Sequence, residues 1–344
     1  MKNNILSYFK IHLRKSARAI MYMTVIAIVI TAISTYGSHS YQMSHYDKDF
    51  FEYIGEKTIY RAQLSVASVV MIVASYIAAV RSFSCFMKRR NLDCFYSLPL
   101  PRRAIGGVHY AVGIIEMFSI FTASYLTNVI TMLMDRGEFN YIYLLPHYFL
   151  SLLFGVIMYS VLVFAFNEGT SVADGIIYMV AYTFVMTLLC GALRGLNSIP
   201  YDPILSEIST SMLFGGITSM TSVFENAIEC DTVIFTSFLT REHIIFWSIV
   251  WTVIGIAAAV GFFLKFGKRR PEMTEDISES YFGYKVLIPY TAATLMLAID
   301  SGELLTYIFI ELAALIGYTI YRRGFKYKRQ DIIVLLALII FAFI

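Results

Sequence analysis

The sequence predicts an all-α, polytopic helical membrane protein. Of its 344 residues, 58% are hydrophobic and only 15% are charged, whereas soluble domains average about 45–50% apolar and about 25% charged residues. Apolar stretches recur along the chain at lengths that suit a bilayer, which a helix crosses with about 20 such residues. Lysine and arginine concentrate in alternate connections between these stretches, as they do in the cytosolic loops of membrane proteins.

Measured against this length, the chain has six spans in a core of residues 19–267 and two or three more in a C-terminal extension, 268–344. The six predicted core spans are 19–36, 62–85, 108–134, 143–166, 175–193 and 244–266. In the extension, two full spans are predicted at 284–299 and 304–321, followed by 332–344. The last stretch is only about 20 Å long at 1.5 Å per residue, so it counts as a partial span.

The basic residues predict the orientation. With the N-terminus in the cytosol and alternating spans, 21 of the 27 lysines and arginines fall on the cytosolic side. Six remain outside: Lys48, Lys57, Arg61, Arg136, Arg194 and Arg241. The sequence therefore predicts a multi-pass protein of the cell membrane that contacts membrane lipids and carries a cytosolic N-terminus.

Residues 1–18 are predicted to form an amphipathic helix on the inner membrane surface. Ile5, Phe9 and Leu13 recur every four residues and so share one helical stripe. The basic residues fall on other faces: Lys2, Lys10, Arg14 and Lys15. An apolar stripe flanked by lysine and arginine is typical of a helix lying in the membrane interface.

The longest outer segment, 194–243, has a mildly polar centre at 212–223 that is too short to cross the bilayer. Two interpretations stand side by side. The segment 212–223 is a short helix that dips into the outer leaflet, a re-entrant arrangement tolerated where protein or a water-filled cavity covers it, or it belongs to an ordinary packed outer loop.

The cytosolic loop at 86–106 is the most distinctive water-facing segment. Residues 86–96 can form a short amphipathic helix with Phe86, Phe95 and Tyr96 on its apolar side. Pro99 and Pro101 then stop the helix, because proline lacks an N–H group and clashes with the preceding turn. A loop resting on anionic lipid would explain the charge alone, whereas the order of aromatic residues, helix stop and arginines favours a rigid docking element. The candidate docking residues are Arg89, Arg90, Asp93, Phe95, Tyr96, Ser97, Leu98, Pro99 and Arg102.

Two acidic residues, Glu116 and Glu311, lie inside predicted spans. Because an acid at the centre of the bilayer costs at least about 2.5 kcal/mol to insert, both are candidate functional groups of a carrier or channel. The structural alternative, which the sequence favours, is that each acid hydrogen-bonds to serine, threonine or tyrosine of the bundle. Arg81, near the inner end of its span, is expected to extend its charge into the cytosolic headgroups.

No enzymatic motif is present in the sequence. The nearest approach to a phosphate-binding GxxxxGK[ST] loop, at Gly261, Gly267 and Lys268, has one residue too many and ends a span. HExxH and GxSxG are absent, the four cysteines lack metal-site spacing, and the six histidines are expected at interfaces and in loops. We therefore expect no enzyme activity, no cofactor and no nucleic-acid partner, and any ATP-driven work would require a separate ATPase.

At residues 93–102, DCFYSLPLPR, the chain resembles permease subunits of ABC transporters of the type-2 exporter class. Members often carry D-x-x-x-SLP-x-[ST]-R between the second and third spans, and here Pro101 replaces the usual Ser or Thr. The amphipathic N-terminus, the six spans and the long outer segment are also similar, over about residues 1–270. Residues 268–344 look like the extension of a Gram-positive subgroup of these permeases, whose members are often longer still.

The resemblance implies an ATP-driven exporter in which the chain pairs with a second permease, as a homodimer or heterodimer. Each copy would offer its cytosolic loop to a cytosolic ABC ATPase subunit, which binds ATP and Mg²⁺. The substrate would be amphipathic or hydrophobic. Three alternatives stay open: an ATP-independent carrier or channel that uses Glu116 and Glu311, a sensor that binds an ATPase without transporting anything, and, least favoured, a membrane enzyme.

Overall fold

A computed structural model describes residues 2–45, 64–90, 97, 99–134, 140–195, 211–229, 242–268, 274–276, 280–298, 304–325 and 327–342. Within these ranges the chain forms helices and turns and has no strand, which confirms the all-α class. Ten α-helices are described: α1 Lys2–His45, α2 Leu64–Phe83, α3 Arg102–Met134, α4 Leu144–Glu168, α5 Val172–Gly195, α6 Gly215–Glu229, α7 Glu242–Phe266, α8 Tyr284–Ala298, α9 Leu304–Arg322 and α10 Arg329–Ala342.

Seven of these helices are long and apolar enough to cross a membrane: α1 to α5, α7 and α9. They coincide with the six predicted core spans and with the predicted span at 304–321, so the chain is a membrane-embedded helical protein. α8 has 15 residues and α10 has 14. Both are shorter than the roughly 20 residues that a crossing needs, so a full span at 284–299 stays a prediction.

α4 lies at the centre of the bundle and contacts α2, α5, α6 and α7. Apolar residues occupy all sides of α4, as expected for a helix surrounded by other helices. Tyr159, Leu162 and Phe166 are fully buried there. α1 and α2 pack on α3. α8, the first helix of the C-terminal extension, packs on α5.

α1 is one helix from Lys2 to His45, with no break near residue 18. Its contacts with α3 show that it does not run parallel to α3 throughout. Tyr8 bonds His109 and Thr31 bonds Ser124, so 23 residues of α1 correspond to 15 residues of α3. At 1.5 Å per residue the difference is about 12 Å, and α1 therefore leans or curves relative to α3. Its placement on a membrane surface stays a prediction.

α6 lies deep in the bundle at its start and reaches one end of the bundle at its finish. Leu213, just before α6, donates its backbone N–H to the carbonyl of Thr183, near the middle of α5. At the other end, the carbonyl of Ile228 accepts from the N–H of Asn140, just before α4. α6 therefore overlaps the short helix predicted at 212–223, begins three residues later and rises from half the height of the bundle. Its entry into a membrane leaflet stays a prediction.

The C-terminal extension forms its own small layer, in which α9 and α10 pack on α8. A buried ion pair closes the α9–α10 turn: Arg322 Nε and Nη2 each lie 2.7 Å from an oxygen of Asp331. Burial alone would raise the pKa of Asp331, but hydrogen bonds from Arg322 and from the Lys328 N–H outweigh burial and hold this pKa below its usual value. The pair therefore stabilises the turn at neutral pH. This stabilisation is lost only as the pH falls below the pKa of an ordinary aspartate and through the lower pKa of Asp331.

Two adjacent glycines of α3 give a test of the packing of α3 on α7. A Cβ atom at Gly106 would lie 2.5 Å from Cδ1 of Phe266, whereas one at Gly107 would lie 3.6 Å from Phe263, an ordinary contact. Gly106→Ala is expected to lower the free energy of unfolding by about 1–3 kcal/mol through overpacking. Gly107→Ala is expected to leave it unchanged or to raise it by up to about 1 kcal/mol. Unfolding in mixed micelles measures both, and equal effects would contradict this packing.

Candidate functional site

Four connections that the sequence places on the cytosolic side meet at one end of the bundle, here called the basic end. The turn at 274–276 lies at the centre of this contact. It bonds Arg89 after α2, Thr170 between α4 and α5, and Arg323 after α9. The helix ends therefore alternate as the charge pattern predicts. Which side of a membrane the basic end faces stays a prediction.

The first part of the candidate docking loop is fixed to the bundle by Phe86. This side chain is 2% exposed and packs edge-on against His109, at 4.7 Å between ring centroids, and against Phe266, at 5.1 Å. His109 donates Nδ1–H to the carbonyl of Ser82 at 2.7 Å and accepts from the hydroxyl of Tyr8 at Nε2. One aromatic cluster thus joins α1, α2, α3 and α7 directly beneath the loop.

The predicted amphipathic helix cannot begin at Phe86, so that part of the prediction is wrong. Residues Ser84–Met87 form a 3₁₀ turn, and Lys88 that follows has extended backbone. Phe86 is directed into the bundle because α3 and α7 offer it an aromatic pocket, and it contributes no docking surface. Helical backbone resumes only at Arg89 and Arg90.

The structure describes five of the nine candidate docking residues. Arg89, Arg90, Ser97, Pro99 and Arg102 are all exposed at the basic end. Arg102 begins α3, six residues before the predicted span at 108–134. The Pro101 carbonyl accepts hydrogen bonds from the N–H groups three and four residues on, those of Ala104 and Ile105. The other four lie outside the described residues: Asp93, Phe95, Tyr96 and Leu98.

Arg89 is held by the turn at 274–276. Its Nε donates to the carbonyl of Thr274 at 2.9 Å, and Nη2 lies 2.8 Å from Oδ1 of Asp276. The carboxylate of Glu275 lies 3.8 Å from Nε. The side chains of Arg89, Glu275 and Asp276 are about half exposed, so solvent screens each ion pair and its contribution alone is at most about 1 kcal/mol.

The same turn also forms hydrogen bonds with the C-terminal extension, through Arg323. Arg323 donates to the carbonyls of Glu275 and Asp276 and lies 3.6 Å from a carboxylate oxygen of Asp174. Glu275 and Arg323 both have left-handed backbone, with φ of 67° and 53°, a conformation that is costly for residues other than glycine. The contacts around the turn therefore stabilise two strained residues that the sequence gave no reason to select.

Glu116 and Arg81 form an ion pair inside the bundle, which corrects two expectations. The guanidinium of Arg81 is not free to extend into the headgroups, because it binds Glu116. The carboxylate of Glu116 accepts its hydrogen bonds from Arg81 and not from serine or threonine. Nη2 and Nε of Arg81 lie 2.8 and 3.0 Å from Oε2 of Glu116. The side chain of Glu116 is fully buried, whereas that of Arg81 is 27% exposed. Oε1 of Glu116 is buried without a hydrogen-bond partner.

Glu311 lies apart from this pair, on α9 in the C-terminal extension, and its Oε1 is also buried without a partner. Two histidines, His109 and His147, are fully buried within the bundle, in α3 and α4. Each finds hydrogen-bond partners there: Tyr8 and Ser82 for His109, and Thr221 and Ser151 for His147. Their position at the level of a membrane interface stays a prediction.

The residues that sequence reasoning missed are Glu275, Asp276 and Arg323. The available signal was a group of four acids, Glu272, Glu275, Asp276 and Glu279, after the basic residues 268–270 of the same connection. The orientation argument counts lysine and arginine alone. Within the described residues no group of three or more His, Cys, Asp or Glu side chains could hold a metal ion. The arrangement at the basic end suits protein contact, since it presents exposed arginines on a fixed base. No family model, curated protein or solved structure matches this chain.

The pair of Arg81 and Glu116 gives a stability test with unequal partners. Arg81→Met is expected to lower the free energy of unfolding by about 3–5 kcal/mol, because it leaves a buried carboxylate without its cation. Glu116→Gln is expected to cost less, because the partly exposed guanidinium can be hydrated. In the Arg81→Met background, Glu116→Gln should restore stability. Unfolding in mixed micelles checks this order, and additive losses in the double variant would contradict it.

The contacts of Arg89 give a local test. Arg89→Gln is expected to change overall stability by less than about 1 kcal/mol, because its ion pairs are half exposed. Amide hydrogen exchange of the segment around 274–276 should nevertheless accelerate, because the turn loses its contact with the docking loop. The matched control is Arg90→Gln, which removes an exposed neighbouring charge with no ion pair among the described residues. Equal acceleration in both variants would contradict a specific role of Arg89.

Proposed function

We propose that this chain is the membrane-spanning permease subunit of an ATP-driven ABC exporter. The observation that carries the proposal is DCFYSLPLPR at 93–102, between the second and third helices. Neighbouring features of the structure support it. A docking loop that transmits force must be anchored at both ends, and here Phe86 is buried at one end while α3 begins directly at Arg102 on the other.

The proposed division of labour follows from what the chain contains. Its sequence has no phosphate-binding loop, so ATP and Mg²⁺ would be bound by a separate cytosolic ABC ATPase subunit. Closure of the ATPase pair would push on the loop at 86–106, and the anchored loop would move α2 and α3 as levers. A second permease copy, identical or related, would complete the pathway for an amphipathic or hydrophobic substrate.

The Arg81–Glu116 pair lies directly on this proposed path of force. Arg81 is the last charged residue of α2 before the loop, and Glu116 lies on α3, the helix that follows it. The ion pair would make the two helices move as one unit. It also gives Glu116 a role that needs no transported ion, so we favour the exporter over the ATP-independent carrier or channel based on Glu116 and Glu311.

Charge substitutions in the loop test the proposal. With the chain co-expressed beside an ABC ATPase encoded next to it, Phe95→Asp and Tyr96→Asp are expected to reduce co-purification of the ATPase at least tenfold, because a charge would enter an apolar contact. Export of amphipathic dyes from cells should fall in parallel, while membrane insertion stays normal.

The matched control is Phe325→Asp, an aromatic residue at the same end that is 83% exposed and outside the motif. It should leave ATPase binding intact. Normal ATPase binding and export in Phe95→Asp and Tyr96→Asp would overturn the docking assignment. ATPase binding without any export would instead identify a sensor, and flux that needs no ATPase but requires Glu116 or Glu311 would identify the carrier.

A further inference from the structure

An open apolar groove of about 700 Å³ lies at the basic end between the N-terminal part of α1 and the start of α3. Its walls contain no polar side chain: Ile5, Leu6, Phe9, Ala104, Gly107, Val108 and Ala111. The volume falls within the range of about 300–1,000 Å³ typical of small-molecule sites.

The groove exists because the side chains on the α3 wall are small and because α1 is held at a distance from them. Ala104, Gly107 and Ala111 form a stripe of small residues along α3. Beside this stripe, Tyr8 bonds Nε2 of His109 at 3.0 Å, and the ring of His12 lies 4.0 Å from that of His109. These aromatic contacts act as a spacer, so α1 cannot close on the small residues.

The groove spans two environments. Val108 is the first residue of the predicted third span, so 104–107 lie toward the headgroups while 108–111 lie toward the acyl chains. The α1 wall belongs to the segment predicted for the membrane interface. An occupant must therefore be apolar at one end and polar at the other.

The two chain segments that form the groove carry only cations. Neither residues 1–46 nor residues 94–115 contain an acid. Lys10 follows Leu6 by one helical turn, and Arg103 precedes Gly107 by one turn. Both side chains are exposed, and neither forms an ion pair with any residue that the structure describes. More cations stand further along the two helices, at Arg14, Lys15, Arg18 and Arg102.

We propose that this groove binds one acyl chain of an anionic phospholipid, with the phosphate directed to Lys10 and Arg103. A peptide would leave its backbone N–H and C=O groups without partners on these walls, whereas an acyl chain has none to satisfy. The negative headgroup matches the exposed cations Lys10 and Arg103. The acyl chain fills the space that the spacer keeps open between α1 and α3, and it holds the start of α1 on α3. This inference does not depend on the proposed ATPase partner.

Native mass spectrometry of the full chain in a mild detergent tests the site, with equimolar phosphatidylglycerol and phosphatidylcholine as probes. The wild type should retain one phosphatidylglycerol in preference to phosphatidylcholine. Gly107→Leu fills the groove and should abolish that retention; its Cβ meets only Phe263, at an ordinary 3.6 Å. Lys10→Gln with Arg103→Gln should weaken phosphatidylglycerol retention about tenfold and remove the preference over phosphatidylcholine.

Two matched controls accompany these variants. Gly37→Leu adds the same side chain at an exposed glycine of α1 with nothing within 4 Å, and Lys88→Gln with Lys268→Gln removes two exposed charges from other parts of the basic end. Both should retain phosphatidylglycerol as the wild type does. Equal retention of the two lipids by the wild type, or undiminished retention in Gly107→Leu, would overturn the proposal, as would displacement of the lipid by an acidic peptide.

Discussion

The aromatic cluster of Phe86, His109 and Phe266, at the base of the candidate docking loop, is the contact on which the other features of the basic end depend. Phe86 packs between His109 and Phe266, and the ring of Phe266 can hold its position because Gly106 has no side chain: a Cβ atom there would lie 2.5 Å from Cδ1 of Phe266. The cluster fixes where α2 stops and how α3 starts. The cluster also lies next to two other features. Arg81, which pairs with Glu116, precedes Phe86 by five residues, and His109 belongs to the spacer beside the groove.

Charge is distributed in this protein according to how each group can be solvated. Glu116, which has no access to solvent, is paired with a cation, while Arg89, Glu275 and Asp276 are half exposed and share their contacts with water. A buried charge must find its partner within the protein, whereas an exposed one contributes little alone. The turn at 274–276 gains its importance from the number of connections that it joins, since each of its ion pairs is weak.

The turn also relates the C-terminal extension to the core. Arg323, immediately after α9, and Arg89, in the connection that follows α2, both contact Glu275 and Asp276. Movement of the docking loop would therefore be felt by α8 to α10. In the proposed exporter, the extension is thus mechanically connected to the point where the ATPase would act, although the two are far apart in sequence.

The sequence predicts the all-α class, the long apolar helices and the alternation of their ends, because hydrophobic length and charge bias accumulate residue by residue along the chain. It also located the short helix before α7 and the segment that suggests ATPase docking. The folded bundle alone reveals that Phe86 is buried, that Arg81 pairs with Glu116, and that the turn at 274–276 contacts three other connections. These pairings depend on how each helix is rotated about its axis. Close contacts between residues distant in sequence, such as Gly106 against Phe266, set that rotation, and no local pattern encodes it.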